Sequence, residues 1–508
     1  MNAGCDIEST SCSPFSLYAA LRAHATVNPR KPAVLTNTRT VTYSQLEELV
    51  SLFVDRLRHL INGSGVVIWS FLRKDIEFVA AFIAAQELDC IFVPLAPDSN
   101  AVRLSPLSEA LSPSAVLLSD SEVACVNQLV SLLGIALSRQ VAQLKNGVVC
   151  LTSNTAPAHL YGGAYVNFTS GTTAPSKGAL CTTDTIFWNT KAVVERLSLT
   201  ADDVHLSTFP VHIHPHEFFA RAIYLGGTAV LLEFRDLCAD LDIVKRVGAT
   251  CLMSTPSLYD VLLQIQTNRH TDLGRLKLAE SGGAVTPSGL IRAFYETNSI
   301  VLTPVWGSAE TCGVALVNAD PLVDARAFEV LSPYYEASIF APDRSEPVEG
   351  ELRLRGRGLS HGYLQSVTRE ADPFRGGWYY TGDLCRAVSK SRVAFLGRKA
   401  DVIKSAGLSV WPNQVEAVLR EVNGVRDALV FGLEDEKRGE LLAAAVVRRI
   451  PGVPSTADLV RACKERLPPY MVPRHIEFVD ALPHDETGKA SREALRRLIT
   501  DRGPHRQE

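Results

Sequence analysis

The residues best suited to chemistry lie between Tyr165 and Gly178, where the chain reads Tyr-Val-Asn-Phe-Thr-Ser-Gly-Thr-Thr-Ala-Pro-Ser-Lys-Gly. Tyr165, Val166 and Phe168 form an apolar lead-in that reads as a buried strand. From Thr169 onward no hydrophobic period survives, and Thr169, Ser170, Gly171, Thr172 and Thr173 are small or carry hydroxyls. Such a loop brings backbone N–H groups and hydroxyls close to a polyphosphate, and Lys177 adds a point charge. An ordinary Ser/Thr/Gly surface turn has the same composition, so this segment alone leaves the two readings level. It is not the Gly-x4-Gly-Lys-Ser/Thr loop, because Gly171 and Lys177 have the wrong spacing and Gly178 follows the lysine.

Four further segments follow in order: Trp306-Gly-Ser-Ala-Glu-Thr311, Trp378-Tyr-Tyr-Thr-Gly-Asp383, Gly397-Arg-Lys-Ala-Asp-Val-Ile-Lys404 and Glu486-Thr-Gly-Lys489. With them the chain resembles the adenylate-forming enzymes, the superfamily of acyl- and aryl-CoA ligases, peptide-synthetase adenylation domains and luciferases. The resemblance runs from about Tyr43 to Leu498, with the motifs in family order.

Making an acyl-adenylate brings two anions, a carboxylate and the α-phosphate, together in line. The protein must neutralise charge and position groups rather than supply a nucleophile. The resemblance implies a catalytic set of Thr169, Glu310 and Lys489. Glu310 resembles the family's Mg2+-bridging carboxylate, a ligand type that suits this hard cation; a solvent-facing helix-start glutamate is the bland alternative. Lys489 resembles the lysine that bridges carboxylate and phosphate during adenylation, and an exposed lysine before a helix is its bland counterpart. Ser170, Gly171, Thr172, Thr173 and Lys177 would hold phosphate. Trp306, where the family usually has tyrosine, would lie against adenine with Gly307 and Ser308 beside it. Asp383 resembles the carboxylate that accepts both ribose hydroxyls, and Arg398 the arginine that also reaches the ribose. Gly282, Gly283 and Ala284 match a loop that touches the nucleotide and narrows the acyl pocket, where glycine permits close backbone approach.

The family works in two positions of its C-terminal domain. The resemblance therefore implies that Lys489 leaves after adenylation, that Ala400 is the hinge, and that Gly407 then lines a pantetheine tunnel for thioester formation. Mg2+ is the implied cofactor, and a small carboxylic acid, ATP and coenzyme A are the implied substrates. An acyl carrier protein or an amine is the alternative acceptor.

Three departures from the family pattern stand out. Ala174 and Ser176 occupy phosphate-loop positions where Gly and Pro are usual. Ala309 replaces a phosphate-binding threonine, with Ser308 or Thr311 as possible substitutes, and Ala400 replaces the usual hinge aspartate or lysine. The first two could slow adenylation, and the third bears on the domain rotation. Ala309 and Ala400 also support a distant reading as a non-catalytic nucleotide- or acyl-binding protein, against which Glu310, Asp383 and Lys489 stand together.

In the acid pocket, His212-Ile-His-Pro-His-Glu217 replaces the segment where amino-acid-activating relatives place an aspartate for the α-amine. That position falls on Ile213 or His214, which disfavours an ordinary α-amino acid. On a strand the alternating His212, His214 and His216 would share one face, a spacing compatible with metal binding or proton transfer. The favoured reading has one histidine gating the pocket and the others satisfied by hydrogen bonds.

These residues need elements to position them. At 508 residues the chain exceeds one core, so at least two domains are expected. Helical spacing over Leu46–Leu60 and Glu77–Glu87 alternates with strand-like runs at Val66–Ser70, Cys90–Pro94, Ser114–Leu118, Thr228–Leu232 and Thr250–Met253. This rhythm predicts α/β layers with largely parallel strands. Short strands with Pro and Gly turns over Ala337–Arg355 predict a small β subdomain. The expected division is a large N-terminal domain over 1–397, with layered α/β subdomains and that β unit, and a small, mobile α+β C-terminal domain over 398–508. In the latter, helices are read at Asn413–Val422, Thr456–Arg466 and Arg492–Leu498, and strands at Ala428–Phe431, Ala443–Val447 and Ile476–Val479.

Composition narrows the class. With 46% hydrophobic and 21% charged residues and a net charge of −4, nucleic acid is not an expected partner. Eleven cysteines without Cys-x-x-Cys pairs favour reduced core thiols over zinc or disulfides. The apolar window Phe78–Pro97 is broken by Gln86, Glu87 and Asp89, which argues against a membrane span. A cytoplasmic location is the expectation.

Overall fold

The computed structural model describes residues 16–61, 65–96, 99, 101–119, 121, 137–144, 147–153, 164–168, 177–232, 237–269, 272–342, 348–364, 372–405, 408–435, 439–449, 453–483 and 490–501. The chain forms two compact units. One comprises Met1–Asn167, Leu180–His205 and Pro210–Leu232; the other comprises Phe168–Ala179, Leu206–Phe209 and Glu233–Glu508.

In the first unit, a sheet runs in the order Leu137–Gln143, Val148–Ser153, Ala115–Ser119, Val67–Ser70, Ile91–Pro94 and Ala164–Phe168. Its central strands are parallel, and Val67–Ser70 and Ile91–Pro94 are buried at every position. Parallel strands covered on both faces read as continuous apolar runs, which is why the short runs in the sequence marked them. The helix Ile76–Glu87 is buried over its first ten residues. The helix Tyr43–Leu60 begins with a capping box between Thr42 and Gln45, three residues before the apolar period noticed in the sequence. Phe82 packs against Phe92, Tyr165 and Phe219 at ring-centroid distances of 5.3–5.4 Å, so the strand leading to the phosphate-loop segment is anchored in an aromatic core.

In the second unit, Cys251–Ser254, Leu278–Ser281 and Leu302–Ser308 pair in parallel, with helices at Pro256–Arg269 and Ser288–Asn298. From Leu302–Ser308 the pairing turns antiparallel through Gly313–Val317, Ala327–Val330, Arg392–Arg398, Trp378–Ala387, Glu349–Gly356 and Tyr335–Phe340. The expected β subdomain is thus present. A separate sheet carries the C-terminal part, with Gly439–Arg448 antiparallel to Val425–Asp435 and parallel to His475–Phe478. One face packs Val415, Leu419, Leu459 and Cys463 from the helices Pro412–Arg420 and Thr456–Arg466. The other packs Leu495 and Ile499 from Arg492–Asp501. The fold is mixed α/β with a large N-terminal and a small C-terminal domain.

Arg492 locks that last helix. Its guanidinium donates to Glu416 at 2.6 Å, Asp401 at 3.0 Å and the Val430 carbonyl at 3.0 Å, and the Glu416 side chain is only 4% exposed. Arg492→Ala is expected to destabilise this part by about 2–3 kcal/mol, because it strips a buried carboxylate of its shortest ion pair while Arg420 remains at 3.6 Å. Hydrogen exchange would show this as earlier loss of amide protection in Val425–Asp435; unchanged protection would overturn it.

Cys90, Cys150, Cys181, Cys251, Cys312, Cys385 and Cys463 are buried and free, and burial pushes the Cys90 and Cys150 thiols up to about 12. Such thiols stay neutral and behave as small apolar groups. Among the described residues, no helix is long and apolar enough to cross a membrane.

Candidate active site

The strand Leu302–Ser308 delivers Trp306, and Trp378–Ala387 delivers Asp383. They meet directly: Trp306 Nε1 donates to Asp383 Oδ2 at 2.7 Å. Arg398, at the end of Arg392–Arg398 and directly across the ladder from Asp383, places Nε 3.1 Å from Oδ1. Asp383 is 1% exposed, and so sits buried between an indole N–H and a guanidinium. The three residues assigned to adenine and ribose are thus brought together. The indole N–H is a donor that tyrosine would not place there.

Gly307 makes the turn beyond Trp306 possible. A Cβ there would lie 2.2 Å from the Gly313 carbonyl oxygen, so only glycine lets the two backbones approach. In the following turn, Thr311 is fully buried; its hydroxyl donates to the Gly313 carbonyl at 2.6 Å and accepts from the Ser308 N–H at 2.8 Å. The Thr311 hydroxyl is thus engaged within the turn. Ser308, the other residue considered in place of the threonine missing at Ala309, has a half-buried hydroxyl 3.5 Å from Tyr379 Oη.

Glu310 occupies the same turn at 6% exposure, held by the Ser360 N–H on its carbonyl at 2.7 Å and the Tyr363 hydroxyl on Oε1. Burial first, and then the charge of Glu310, hold the Tyr363 hydroxyl above its ordinary range, so it remains a donor. Lys177 lies over the Tyr363 ring, Nζ 5.1 Å from the centroid. Tyr363 thus touches both the candidate metal carboxylate and the phosphate-loop lysine. Thr169, Ser170, Gly171, Thr172 and Thr173 lie outside the described residues, as do Ala174 and Ser176.

Gly282 is buried, whereas Gly283 and Ala284 are exposed at the end of Leu278–Ser281. Gly283 takes φ +81°, a left-handed conformation that favours glycine, with Phe209 and Thr255 close by. In the first unit, the histidine segment is not the strand that its alternation implied. His214 adopts φ +46° and Pro215 starts a 3-10 turn over Pro215–Phe218, so the three histidines do not share a strand face. Proline presets φ for a helical start and cannot donate to a ladder, and this local chemistry overrides the period of two. His212 and Ile213 are half-buried. His214 Nδ1 lies 3.0 Å from Asn167 Nδ2, and buried His216 Nδ1 lies 2.8 Å from Tyr165 Oη. Among the described residues, no group of three His, Cys, Asp or Glu side chains is arranged to hold a metal ion.

Ala400 sits exposed in the short turn Lys399–Asp401, bracketed by opposing ties. Before it, Arg398 pairs with Asp383 and Lys399 with Glu351 at 3.1 Å; after it, Asp401 pairs with Arg492. Gly407 and Lys489 lie outside the described residues. Tyr363, Tyr379, Asn167 and Tyr165 were not marked as site residues by sequence reasoning. Tyr363 follows Gly362 in an aperiodic loop, which offers no signal by itself.

The AMP-binding enzyme family model matches residues 21–364, and the model of the AMP-binding enzyme C-terminal domain matches residues 414–489. The chain is 25% identical over 497 residues to the indoleacetate–CoA ligase of Aromatoleum aromaticum, covering 94% of this chain and 96% of that protein. It is 28% identical over 506 residues to the medium-chain fatty-acid–CoA ligase of Escherichia coli, covering 93% and 88% respectively. The fold matches that of ATP-bound MatB from Rhodopseudomonas palustris with a TM-score of 0.82 at 24% identity, over 96% of this chain and 99% of that one. This chain belongs to the AMP-binding enzyme family: it is an adenylate-forming ligase.

Proposed function

We propose that the enzyme uses ATP to activate an aryl, or a short to medium acyl, carboxylic acid and passes the acyl group to coenzyme A. The carrying observation is the buried Asp383 carboxylate between Trp306 and Arg398, in the same unit as Glu310 and Lys177. Relatives that act on indoleacetate and on medium-chain fatty acids support the substrate range.

In the first half-reaction, a carboxylate oxygen of the acid attacks the α-phosphorus. The bond from that phosphorus to the bridging oxygen breaks, and pyrophosphate leaves with its electron pair. In this reading Trp306 carries the adenine, Asp383 and Arg398 take the ribose, and Lys177 with the hydroxyls of 169–173 takes phosphate charge. Lys489 brings the two anions together, which is positioning and charge neutralisation rather than covalent catalysis. Glu310, buried with a hydroxyl on one carboxylate oxygen, is an oxygen donor of the kind Mg2+ accepts. When bound there, the cation would neutralise the polyphosphate.

In the second half-reaction, the CoA sulfur attacks the acyl carbon of the mixed anhydride. The acyl–oxygen bond breaks, AMP leaves, and the thiol proton passes to solvent. The proposed domain over 398–508 turns between the two steps, with Ala400 as pivot and Gly407 on the thioester face. In support of that pivot, Arg398 and Lys399 are tied to strand residues before it and Asp401 to the last helix after it. Few residues need absorb the φ/ψ change.

The test is pyrophosphate release with ATP and Mg2+ across aryl, fatty and amino acids, each with and without CoA. Release that depends on one acid and yields its CoA thioester supports the proposal. Release without a thioester redirects the second step to a carrier protein or an amine, and no release with any acid overturns the adenylation reading.

A further inference from the structure

One aromatic residue links two parts of the proposed nucleotide site that lie far apart in sequence. We propose that Tyr363 is a positioning residue that presents Glu310 to the metal of a bound magnesium–nucleotide and joins that carboxylate to the end of the phosphate loop. The inference rests on the reading of Glu310 as a metal ligand.

Five contacts carry it. The Tyr363 hydroxyl donates to Glu310 Oε1, across 53 residues of sequence. The ring face of Tyr363 carries Lys177 Nζ at 5.1 Å from its centroid. Its backbone makes an antiparallel bridge with Ala179, and the Leu364 N–H donates to the Gly178 carbonyl at 2.9 Å. The Ser360 N–H, three residues earlier, donates to the Glu310 carbonyl at 2.7 Å. The stretch Ser360–Leu364 therefore grips the turn of Glu310 at one end and the strand leaving the phosphate loop at the other. Phe374 packs edge-on against the Tyr363 ring at 5.9 Å and stacks on buried Tyr379 at 5.0 Å, which limits how the ring can turn.

The chemistry follows from the donor set. A hydroxyl donating to Oε1 directs that oxygen and leaves Oε2 for a cation. A carboxylate held this way presents its second oxygen without losing rotamer freedom when the ion arrives. Outer hydrogen bonds of this kind typically contribute about 10- to 100-fold to metal affinity. The ring face does a second job, since it takes the lysine's stem and ammonium without neutralising the charge needed at phosphate.

Tyr363→Phe removes the hydroxyl and keeps the ring and the backbone grip. The measurement is calorimetric binding of α,β-methylene-ATP to the full chain, once with EDTA and once with Mg2+, beside a thermal melt of each variant. Affinity in EDTA is expected to match the parent, while the gain on adding Mg2+ shrinks about tenfold or more. An undiminished gain overturns the proposal, as does an equal loss with and without metal, which would mark a structural role. Tyr363→Leu also removes the ring and is expected to weaken binding in EDTA, because Lys177 loses its platform. Glu310→Gln separates the two readings. If it abolishes the gain and Tyr363→Phe does not, the Tyr363 proposal fails alone; if neither variant changes the gain, the Glu310 reading fails with it.

Discussion

Lys489→Ala is expected to slow acid-dependent pyrophosphate release by about 100- to 1000-fold while leaving thioester formation from preformed acyl-AMP near the parent rate. The size follows from removing one preorganised cationic donor at the point where two anions must meet. The asymmetry follows from the two-position reading, in which Lys489 faces the first half-reaction only and the face bearing Gly407 serves the second. Lys489 lies outside the described residues, so its role rests on its place in Glu486-Thr-Gly-Lys489 before the helix Arg492–Asp501. The check is to run the half-reactions separately, with chemically made acyl-AMP for the second. Equal loss in both would remove Lys489 from the adenylation role, and survival of both would remove it from catalysis.

The second large effect concerns Asp383. Asp383→Asn is expected to weaken AMP binding on the order of 30- to 1000-fold, or about 2–4 kcal/mol. The carboxylate is 1% exposed and accepts from Trp306 on one oxygen while Arg398 faces the other. An amide puts an N–H2 donor against one of these two donors and removes the charge that Arg398 faces. Trp306→Phe keeps a six-membered ring for adenine while losing the N–H and the smaller ring of the indole. It leaves the Asp383 carboxylate in place, so its cost is expected to be smaller, about tenfold. It should also narrow the preference for AMP over 2′-deoxy-AMP, because the indole N–H orients the carboxylate that takes the ribose hydroxyls. Isothermal titration of the four protein–nucleotide pairs decides this. If Asp383→Asn binds AMP as the parent does, the ribose assignment is wrong.

Much of the scaffold was legible in the residues themselves. The helix Thr456–Arg466 falls where its spacing placed it, since Ser455 and Asp458 form a capping box at its start. The strands Ile91–Pro94 and Cys251–Ser254 lie within a residue of their apolar runs, because strands buried on both faces need unbroken apolar sequence. The histidine segment shows where such a periodic cue stops working. Alternation over five residues resembles a strand, but Pro215 and the left-handed His214 follow local sterics instead.

The sequence alone showed the α/β rhythm of the elements. The order of its five motifs, through the family they resemble, pointed to an enzyme that handles ATP and an acid, because such short motifs keep their residue types wherever the chain carries them. Tertiary structure alone decided which of those groups touch. Trp306 and Asp383 are 77 residues apart, Glu310 and Tyr363 are 53, and Asp401 and Arg492 are 91. Propensity and period act over a few neighbouring residues, whereas such pairs form only when sheets fold to bury their apolar faces and bring distant turns within hydrogen-bond reach.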